Sequence, residues 1–310
     1  MIHTTGSNPA GLTAANARQV LKKRAEVLAK IRQYFSARKV LEVETPLLDS
    51  FAVTDPQLTN LRVQKPFSKA EWLYLQTSPE YAMKKLLAKG SGSIYQICKA
   101  FREDPVGKLH NTEFTMLEWY REGFSLTQLM DDVAQLATAL MGDIDVETIS
   151  YRQAFKTYLD IDVFTLPTEQ LAAFARSKID IDSSESDRDF WLDLLLSHFV
   201  EKELGRGRLT FVVDYPRSQA ALAKLTNDVN GNCVAKRFEL YIDGVEIANG
   251  YQELTDAQSY RERFLQDNIL RRQRGLAEVP IDDDFLQSIE AGLPECAGVA
   301  LGLDRLLLFA

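Results

Sequence analysis

The sequence predicts an α+β fold in which an antiparallel β-sheet is flanked by helices. Its strand-like segments are joined by short turns, and Asp243-Gly244 has the composition of a tight hairpin turn. Helical segments lie before and between the strands. This order favours an antiparallel sheet over a doubly wound parallel one.

The first part of the chain predicts a flexible start, a long helix, a strand and a second helix. Residues 1–16 are small and polar, and residues 17–38 carry apolar side chains at helical spacing. The run Val40–Glu44 is strand-like. Ser78 is an N-cap residue type, and residues 79–89 begin with proline, which suits the first helical position.

The middle of the chain predicts a hairpin followed by helices. Ile94–Phe101 and Glu113–Arg121 are strand candidates joined by a polar loop. Helical segments follow at residues 126–141, 169–178 and 187–203. We therefore expect a mainly helical insertion over about residues 145–205.

The last part of the chain predicts three strands followed by a helix. Strand candidates lie at Leu209–Asp214, Arg237–Ile242 and Val245–Asn249, and a helix at Asp256–Arg274. The 310 residues, 45% of them hydrophobic, suffice for one large core plus a small insertion. We therefore expect a single domain over residues 17–310.

Charge and cysteine content exclude several functions. Asp and Glu outnumber Lys and Arg by 44 to 36, a formal charge of −8 that argues against a broad nucleic-acid surface. The three cysteines and three histidines lack the spacing of a structural zinc site or a disulfide framework. No apolar run approaches the roughly 20 residues that span a bilayer. We expect a cytoplasmic protein without membrane contact.

Two arginines in separate apolar settings predict a polyphosphate site. Arg102 lies in Phe-Arg-Glu-Asp and Arg305 in Gly-Leu-Asp-Arg, and neither segment is a glycine-rich phosphate loop. A planar guanidinium group binds phosphate at two points and also stacks on a ring. We therefore expect side chains, rather than a backbone loop, to hold ATP.

One face of the predicted hairpin collects groups suited to a small ligand. Alternation along the strand puts Phe114, Met116, Glu118 and Tyr120 on one side. Arg102 on the partner strand can share that side. The alternative is a surface hairpin with cross-strand ion pairs in which Phe114 is ordinary core.

Two carboxylates among apolar neighbours, Glu239 and Glu246, predict a magnesium site. Isolated charges are costly in such surroundings, and Mg²⁺ bound to phosphates prefers oxygen ligands. The alternative is that both pair with Lys or Arg at a sheet edge. Glu246 and Asn249 cannot share one face of a straight strand, so we expect a bend at Gly250.

Three ordered segments resemble motifs 1, 2 and 3 of the class II aminoacyl-tRNA synthetases. They are Val40–Pro46, Phe101–Phe114 and Gly298–Arg305. Segments that resemble the lysyl branch are Thr77–Glu80, Phe114–Tyr120 and Glu246–Leu254. A free-standing core with Glu118-Trp119-Tyr120 is similar to the elongation factor P lysine ligases. We expect no N-terminal anticodon-binding OB domain.

The resemblance implies a class II catalytic core that uses ATP and Mg²⁺. Arg102 would bind the α-phosphate, and Phe114 and Arg305 would enclose adenine. Glu239 and Glu246 would hold Mg²⁺. The catalytic residues would be Arg102, Glu246 and Arg305. The nucleotide-binding set would be Arg102, Glu103, Asp104, His110, Asn111, Phe114, Glu246, Ile247, Asn249, Gly302 and Arg305.

The resemblance also implies an amino-acid pocket for a dibasic substrate. Its residues would be Ser78, Pro79, Glu80, Glu118, Tyr120, Glu253 and Ala300. Converging carboxylates suit a ligand with two amino groups. Two positions depart from the family pattern. Asp104 replaces the motif 2 glutamate, and Ala300 replaces a glycine of lysyl-tRNA synthetases, which is expected to help select (R)-β-lysine over L-lysine.

The implied reaction is ATP-dependent amide formation. The carboxylate of (R)-β-lysine or lysine would attack the α-phosphate, and the adenylate would pass to a lysine of translation elongation factor P rather than to tRNA. The motif 1 helix and strand imply a homodimer. Two alternatives stay open: a short lysyl-tRNA synthetase-like enzyme acting on tRNA or a small amine, and a non-catalytic regulatory subunit.

Overall fold

A computed structural model describes residues 14–68, 71–103, 107, 109–183 and 185–310. Most of the predicted flexible start and the predicted nucleotide contact Asp104 lie outside the described residues. The first helix begins at Ala14, earlier than the predicted residue 17.

Within the described ranges, the elements follow the predicted order closely. The helices are α1 (Ala14–Ala37), α2 (Glu80–Ala88), α3 (Leu126–Met141), α4 (Tyr151–Leu159), α5 (Thr168–Lys178), α6 (Arg188–Leu195), α7 (Ala257–Gln273), α8 (Asp283–Gly292) and α9 (Leu303–Leu306). The strands are β1 (Leu41–Glu42), β2 (Leu48–Asp49), β3 (Arg62–Gln64), β4 (Trp72–Leu75), β5 (Ile94–Phe101), β6 (Glu113–Glu122), β7 (Val146–Ser150), β8 (Leu209–Pro216), β9 (Leu225–Asn227), β10 (Cys233–Ile242), β11 (Val245–Gln252) and β12 (Cys296–Gly302).

Side chains cap several helices, but not at the one N-cap position predicted from the sequence. Asp256 caps α7 by accepting a hydrogen bond from the Ser259 backbone N–H at 2.7 Å. The predicted N-cap at Ser78 is wrong, because the backbone of Pro79 is not helical and α2 begins only at Glu80. Ser78 Oγ instead accepts a 3.4 Å hydrogen bond from the Glu80 backbone N–H.

The main sheet has the strand order β1-β5-β6-β12-β11-β10-β8-β7, with β9 paired to β10. The pairings from β5 to β8 are antiparallel, as predicted, and Asp243 and Gly244 have the positive φ angles of a tight turn between β10 and β11. The two outer pairings, β1 with β5 and β7 with β8, are parallel, so the sheet is mixed. Strands β2, β4 and β3 form a separate small sheet.

Two predicted segments differ from the structure at the edges of the main sheet. The strand predicted at Val40–Glu44 is reduced to Leu41–Glu42, because it pairs with β5 through those two residues and the chain then leaves the sheet. The predicted helical insertion begins with β7, a sheet strand, at Val146. The segment predicted as helix over residues 187–203 is α6 followed by a π-helical turn and a 3₁₀ turn. That this region is an insertion stays a prediction.

The apolar core is divided by the sheet. One cluster packs the sheet against α1 and α3, a second packs α4–α6 against β8 and β10, and a third joins α2, α7 and α8 to the sheet. Representative side chains are Phe35, Trp119 and Val133 in the first, Trp191 and Tyr215 in the second, and Met83, Phe264 and Phe285 in the third. None of the described helices combines the length and apolar character that crossing a membrane requires.

Candidate active site

A cleft of about 1270 Å³ opens on the sheet face that carries Glu118, away from the core cluster of α1 and α3. Most of the predicted site residues line it. These are Ser78, Glu80, Arg102, His110, Asn111, Phe114, Glu118, Tyr120, Glu239, Glu246, Ile247, Asn249, Glu253, Ala300, Gly302 and Arg305. Pro79 and Glu103 are not in the lining, and the Glu103 side chain is exposed to solvent.

Strand β6 has the predicted alternation. Phe114, Glu118 and Tyr120 line the cleft, whereas Leu117 and Trp119 point into the core and are fully buried. Since β6 is paired on both sides, with β5 and β12, a surface hairpin is excluded. The prediction that this face carries a ligand site is therefore consistent with the structure.

A β-bulge turns Glu246 toward the cleft. Leu240 of β10 pairs with Ala248, but Tyr241 pairs with Glu246, so Ile247 is an extra residue in β11. The predicted bend at Gly250 is wrong. Gly250 continues the strand, and a Cβ there would lie 2.4 Å from Cζ of the Phe238 ring.

Both predicted arginines face this cleft. The guanidinium carbon of Arg102 lies 5.3 Å from the centroid of the Phe114 ring, and its Nε donates to the Thr77 carbonyl oxygen at 3.3 Å. Arg305 Nη1 donates to the Glu246 carbonyl oxygen at 2.8 Å, and its Nη2 lies 3.0 Å from Nε2 of His110. The cleft therefore combines two cations with an aromatic ring.

The two predicted metal ligands have different surroundings. Glu239 Oε2 accepts hydrogen bonds from the hydroxyls of Tyr215 and Tyr241, each at 2.6 Å. Glu246 Oε2 lies 3.3 Å from Arg305 Nη1. Partial removal from water and the Glu239 charge raise the pKa of Glu246, and Arg305 opposes the rise. In the part of the chain described here, no group of three or more His, Cys, Asp or Glu side chains is arranged to hold a metal.

The reasoning from sequence missed Arg237, which is bonded to Glu239, one of these two carboxylates. Its guanidinium group pairs with Glu239 at 2.5 Å and donates from Nε to Asn249 Oδ1 at 3.1 Å. It also lies 4.5 Å from the centroid of the Tyr215 ring. The alternative that the carboxylates pair with arginines is thus correct in part, although β10 and β11 are interior strands. Arg237 stands two residues before Glu239, and this same-face spacing was a usable signal.

The amino-acid end of the cleft contains a buried carboxylate with an open oxygen. Glu118 Oε1 accepts a hydrogen bond from the Tyr120 hydroxyl at 2.7 Å, whereas Oε2 is buried and has no hydrogen-bond partner among the described residues. Burial, and then the charge of Glu80, raise the pKa of Glu118 to about 8, while the Tyr120 hydrogen bond opposes the rise. Such an oxygen is positioned for a ligand that donates hydrogen bonds.

A second missed residue, Lys84, lies behind the predicted amino-acid pocket, where it contacts the pocket residues Glu80 and Glu253. Its Nζ is fully buried, 2.6 Å from Glu80 Oε1, 2.6 Å from Glu253 Oε2 and 3.0 Å from the Tyr260 hydroxyl. The spacing of four residues between Glu80 and Lys84 on a predicted helix indicated an ion pair. Nothing local indicated the burial or the pairing with Glu253.

Comparison with known proteins agrees with this geometry. A family model described as tRNA synthetases class II (D, K and N) matches residues 9–310. The chain belongs to this synthetase family. Elongation factor P–(R)-beta-lysine ligases of Enterobacter sp. (strain 638), Salmonella paratyphi B and Salmonella schwarzengrund are each 45% identical to it over 296 residues, 94% of this chain and 90% of the relative. The predicted class II fold and the resemblance to these ligases are confirmed.

The buried Glu118 of this class II synthetase core predicts an unusual dependence of stability on pH. We expect Glu118→Gln, without substrate, to unfold at a higher temperature than the wild type at about pH 8.5. Since the pKa of Glu118 is raised from 4.5 to about 8, the folded protein keeps a proton that the unfolded chain releases. Wild-type stability therefore falls as pH rises through this window, and the variant, which cannot ionise, avoids that loss. Thermal unfolding midpoints from pH 5 to 8.5 should show a widening gap, and a constant gap would contradict the prediction.

Proposed function

We propose that this chain is an ATP-dependent protein-lysine ligase that activates (R)-β-lysine, and L-lysine less well, and joins it to a lysine ε-amino group of translation elongation factor P. The observation that carries the proposal is one cleft that joins two arginines at its nucleotide end to an acidic pocket at its other end. The identity to the curated ligases supports the choice of substrate and acceptor.

The nucleotide end of the cleft suits ATP. Arg102 binds the α-phosphate, where its planar fork makes two hydrogen bonds, and Phe114 and Arg305 enclose adenine. The other residues that contact the nucleotide in this proposal are His110, Asn111, Ile247, Asn249 and Gly302, all of which line the cleft.

Glu246 is the proposed ligand of Mg²⁺, with Glu239 as the second carboxylate. The Glu239 charge contributes to the raised pKa of Glu246, and a divalent cation would relieve that repulsion. The hydroxyls of Tyr215 and Tyr241 hold Glu239 in one orientation. When bound, Mg²⁺ would neutralise part of the negative charge of the phosphates.

The acidic end of the cleft receives the amino groups of the substrate. Oε2 of Glu118 is the open acceptor for one of them, with Tyr120 fixing the other oxygen. Ser78, Glu80 and Glu253, which line the cleft, complete the proposed pocket. Ala300 pairs with both Glu118 and Asn249 in the sheet, so its methyl group lies between the amino-acid and nucleotide ends. This position supports a role in selecting the β-amino acid.

The reaction then requires positioning and charge neutralisation. The substrate carboxylate attacks the α-phosphate in line, the bond to the pyrophosphate leaving group breaks, and an aminoacyl-adenylate forms. The acceptor ε-amine next attacks the adenylate carbonyl, which forms the amide, releases AMP and gives one proton to solvent. The ionised carboxylate is already a nucleophile, so the first step needs no general base.

The partners of the reaction follow from the same proposal. The exposed apolar side chains of Val20, Leu21 and Leu41, on α1 and β1, support a homodimer formed through this region. Sedimentation at micromolar concentration should give a dimer, and a monomer alone would contradict this. We place the reaction in the cytoplasm, where a translation factor is available.

Intact-mass measurement of the acceptor tests the proposal. The full chain is incubated with ATP, Mg²⁺ and (R)-β-lysine, with elongation factor P and tRNA offered in parallel. We expect elongation factor P to gain one β-lysyl group, faster than one lysyl group from L-lysine. Elongation factor P with arginine at the modified lysine is the control. Charged tRNA would instead indicate a short synthetase, and no product on either acceptor would indicate a regulatory subunit.

A further inference from the structure

Lys84 is a fully enclosed charge next to the amino-acid pocket. Its side chain has no solvent exposure, and its two carboxylate partners, Glu80 and Glu253, come from α2 and from the residue after β11. A lysine is almost never fully buried unless it is paired. Its ammonium group therefore joins two distant parts of the chain directly behind two carboxylates that line the cleft.

The pocket carboxylates, when all are ionised, can balance the two ammonium groups of a diamino acid. The carboxylates of Glu80, Glu118 and Glu253 contribute three negative charges when ionised, and Lys84 contributes one positive charge. The remaining two negative charges are equal in number and opposite in sign to the two ammonium groups of the substrate. Without Lys84, the carboxylate of Glu253, which is 1% exposed, would be buried beside other acids without a cation.

We propose that Lys84 is a positioning residue for amino-acid activation, whose buried ammonium group aligns Glu80 and Glu253 and favours the ionised form of Glu253 before the diamino acid enters. This inference rests on the proposed function, because it assigns a task within the same amino-acid pocket. Lys84 does not touch the reacting atoms in this account. It acts through the two carboxylates that it holds.

The titration of Glu253 supports the proposal. Burial raises the pKa of Glu253 to about 7, and Lys84 opposes that rise. The other groups that face Glu253 are Glu80 on α2, Glu118 and Tyr120 on β6, Tyr260 on α7 and Cys296 on β12. Removing the only cation of this set raises the Glu253 pKa further. Glu253 is then neutral near pH 7 and ionises only in more alkaline solution.

The test is Lys84→Met, which keeps the length of the side chain and removes its charge. We measure ATP–pyrophosphate exchange with (R)-β-lysine near pH 7 and near pH 9. At pH 7 the amino-acid KM should rise by about tenfold or more, the effect of one unit of pKa, and the ATP KM should stay within about twofold. Toward pH 9 the difference in amino-acid KM should close, because Glu253 ionises without help.

Lys85→Met is the matched control. Lys85 lies on the same helix and pairs with buried Asp282 at 2.7 Å, but Asp282, unlike Glu80 and Glu253, does not line the cleft. Its loss should lower stability without moving the amino-acid KM or its pH profile. Equal KM values in the two variants, or a Lys84→Met defect of the same size at both pH values, would overturn the proposal, since packing alone would explain them.

A double variant keeps the proposal testable if Lys84→Met does not fold. Lys84→Met with Glu253→Gln removes both members of the buried pair, which costs far less stability than removing one. It should fold and show no alkaline shift in amino-acid KM; failure to fold, or a persistent shift, would overturn the proposal. The wild type in the same assay separates the two claims, because its failure to exchange with any diamino acid refutes the proposed function itself.

Discussion

The Arg102→Ala variant should lose amino-acid-dependent pyrophosphate exchange by about 10²- to 10³-fold, the usual effect of removing one group that stabilises transition-state charge. The guanidinium group lies in the cleft near Phe114 and makes one hydrogen bond of 3.3 Å, to the Thr77 carbonyl. No ion pair of Arg102 with a carboxylate is found among the described residues, so the fold should persist in the variant. The loss should appear in kcat rather than in the amino-acid KM.

Arg261→Ala is the control for this experiment. Arg261 pairs with Asp283 at 2.8 Å on the exposed surface between α7 and α8, away from the cleft lining. An exposed pair contributes little stability, so the exchange rate should stay within about twofold of wild type. If Arg102→Ala behaved like Arg261→Ala, the nucleotide site would lie elsewhere.

The Gly298→Ala variant should lose at least about 100-fold of its amino-acid activation, the size expected when a reacting group is misplaced by about 1 Å. A Cβ at this position would lie 2.3 Å from Cε1 of Tyr120 and 2.5 Å from Glu253 Oε1. Both side chains are held in place, because Tyr120 packs in an apolar cluster and Glu253 is paired with Lys84. Overpacking of this kind should also lower stability by about 1–3 kcal/mol.

Gly107→Ala separates this steric effect from a general effect of adding a methyl group. A Cβ on Gly107 would have no heavy atom of the described residues within 4 Å. Exchange kinetics and thermal unfolding midpoints of the two variants should therefore differ sharply. Unchanged amino-acid kinetics in Gly298→Ala would mean that the pocket around Tyr120 is not the substrate pocket.

The elements that were predictable from sequence are those with a local signal. The hairpin of β5 and β6 was predicted from its strand-like segments and polar loop, and α7 was predicted as a helix over Asp256–Arg274. The turn at Asp243-Gly244 followed from residue type. The parallel pairings of β1 and β7 were missed, because the partner of an edge strand is fixed by contacts with distant parts of the chain.

Most residues of the candidate site were predictable from local signals, but the strand bulge and the ion pairs between them were not. The motif arginines and the carboxylates of β6, β10 and β11 were found from residue type and spacing, and they line one cleft. The bulge at Ile247 has no local sequence signal comparable with a glycine or proline, so the bend was placed at Gly250 instead. The pairing of Lys84 with Glu253 joins segments far apart in the chain, and only the fold brings them together.

Pyrophosphate exchange with a matched set of amino acids tests the central claim most directly. The set is (R)-β-lysine, L-lysine and norleucine, which lacks the ε-amino group of lysine and has nearly the same shape. The account predicts exchange with (R)-β-lysine, weaker exchange with L-lysine and none with norleucine, because the acidic pocket needs two ammonium groups. Exchange with norleucine as fast as with the diamino acids, or exchange with none of the three, would contradict it.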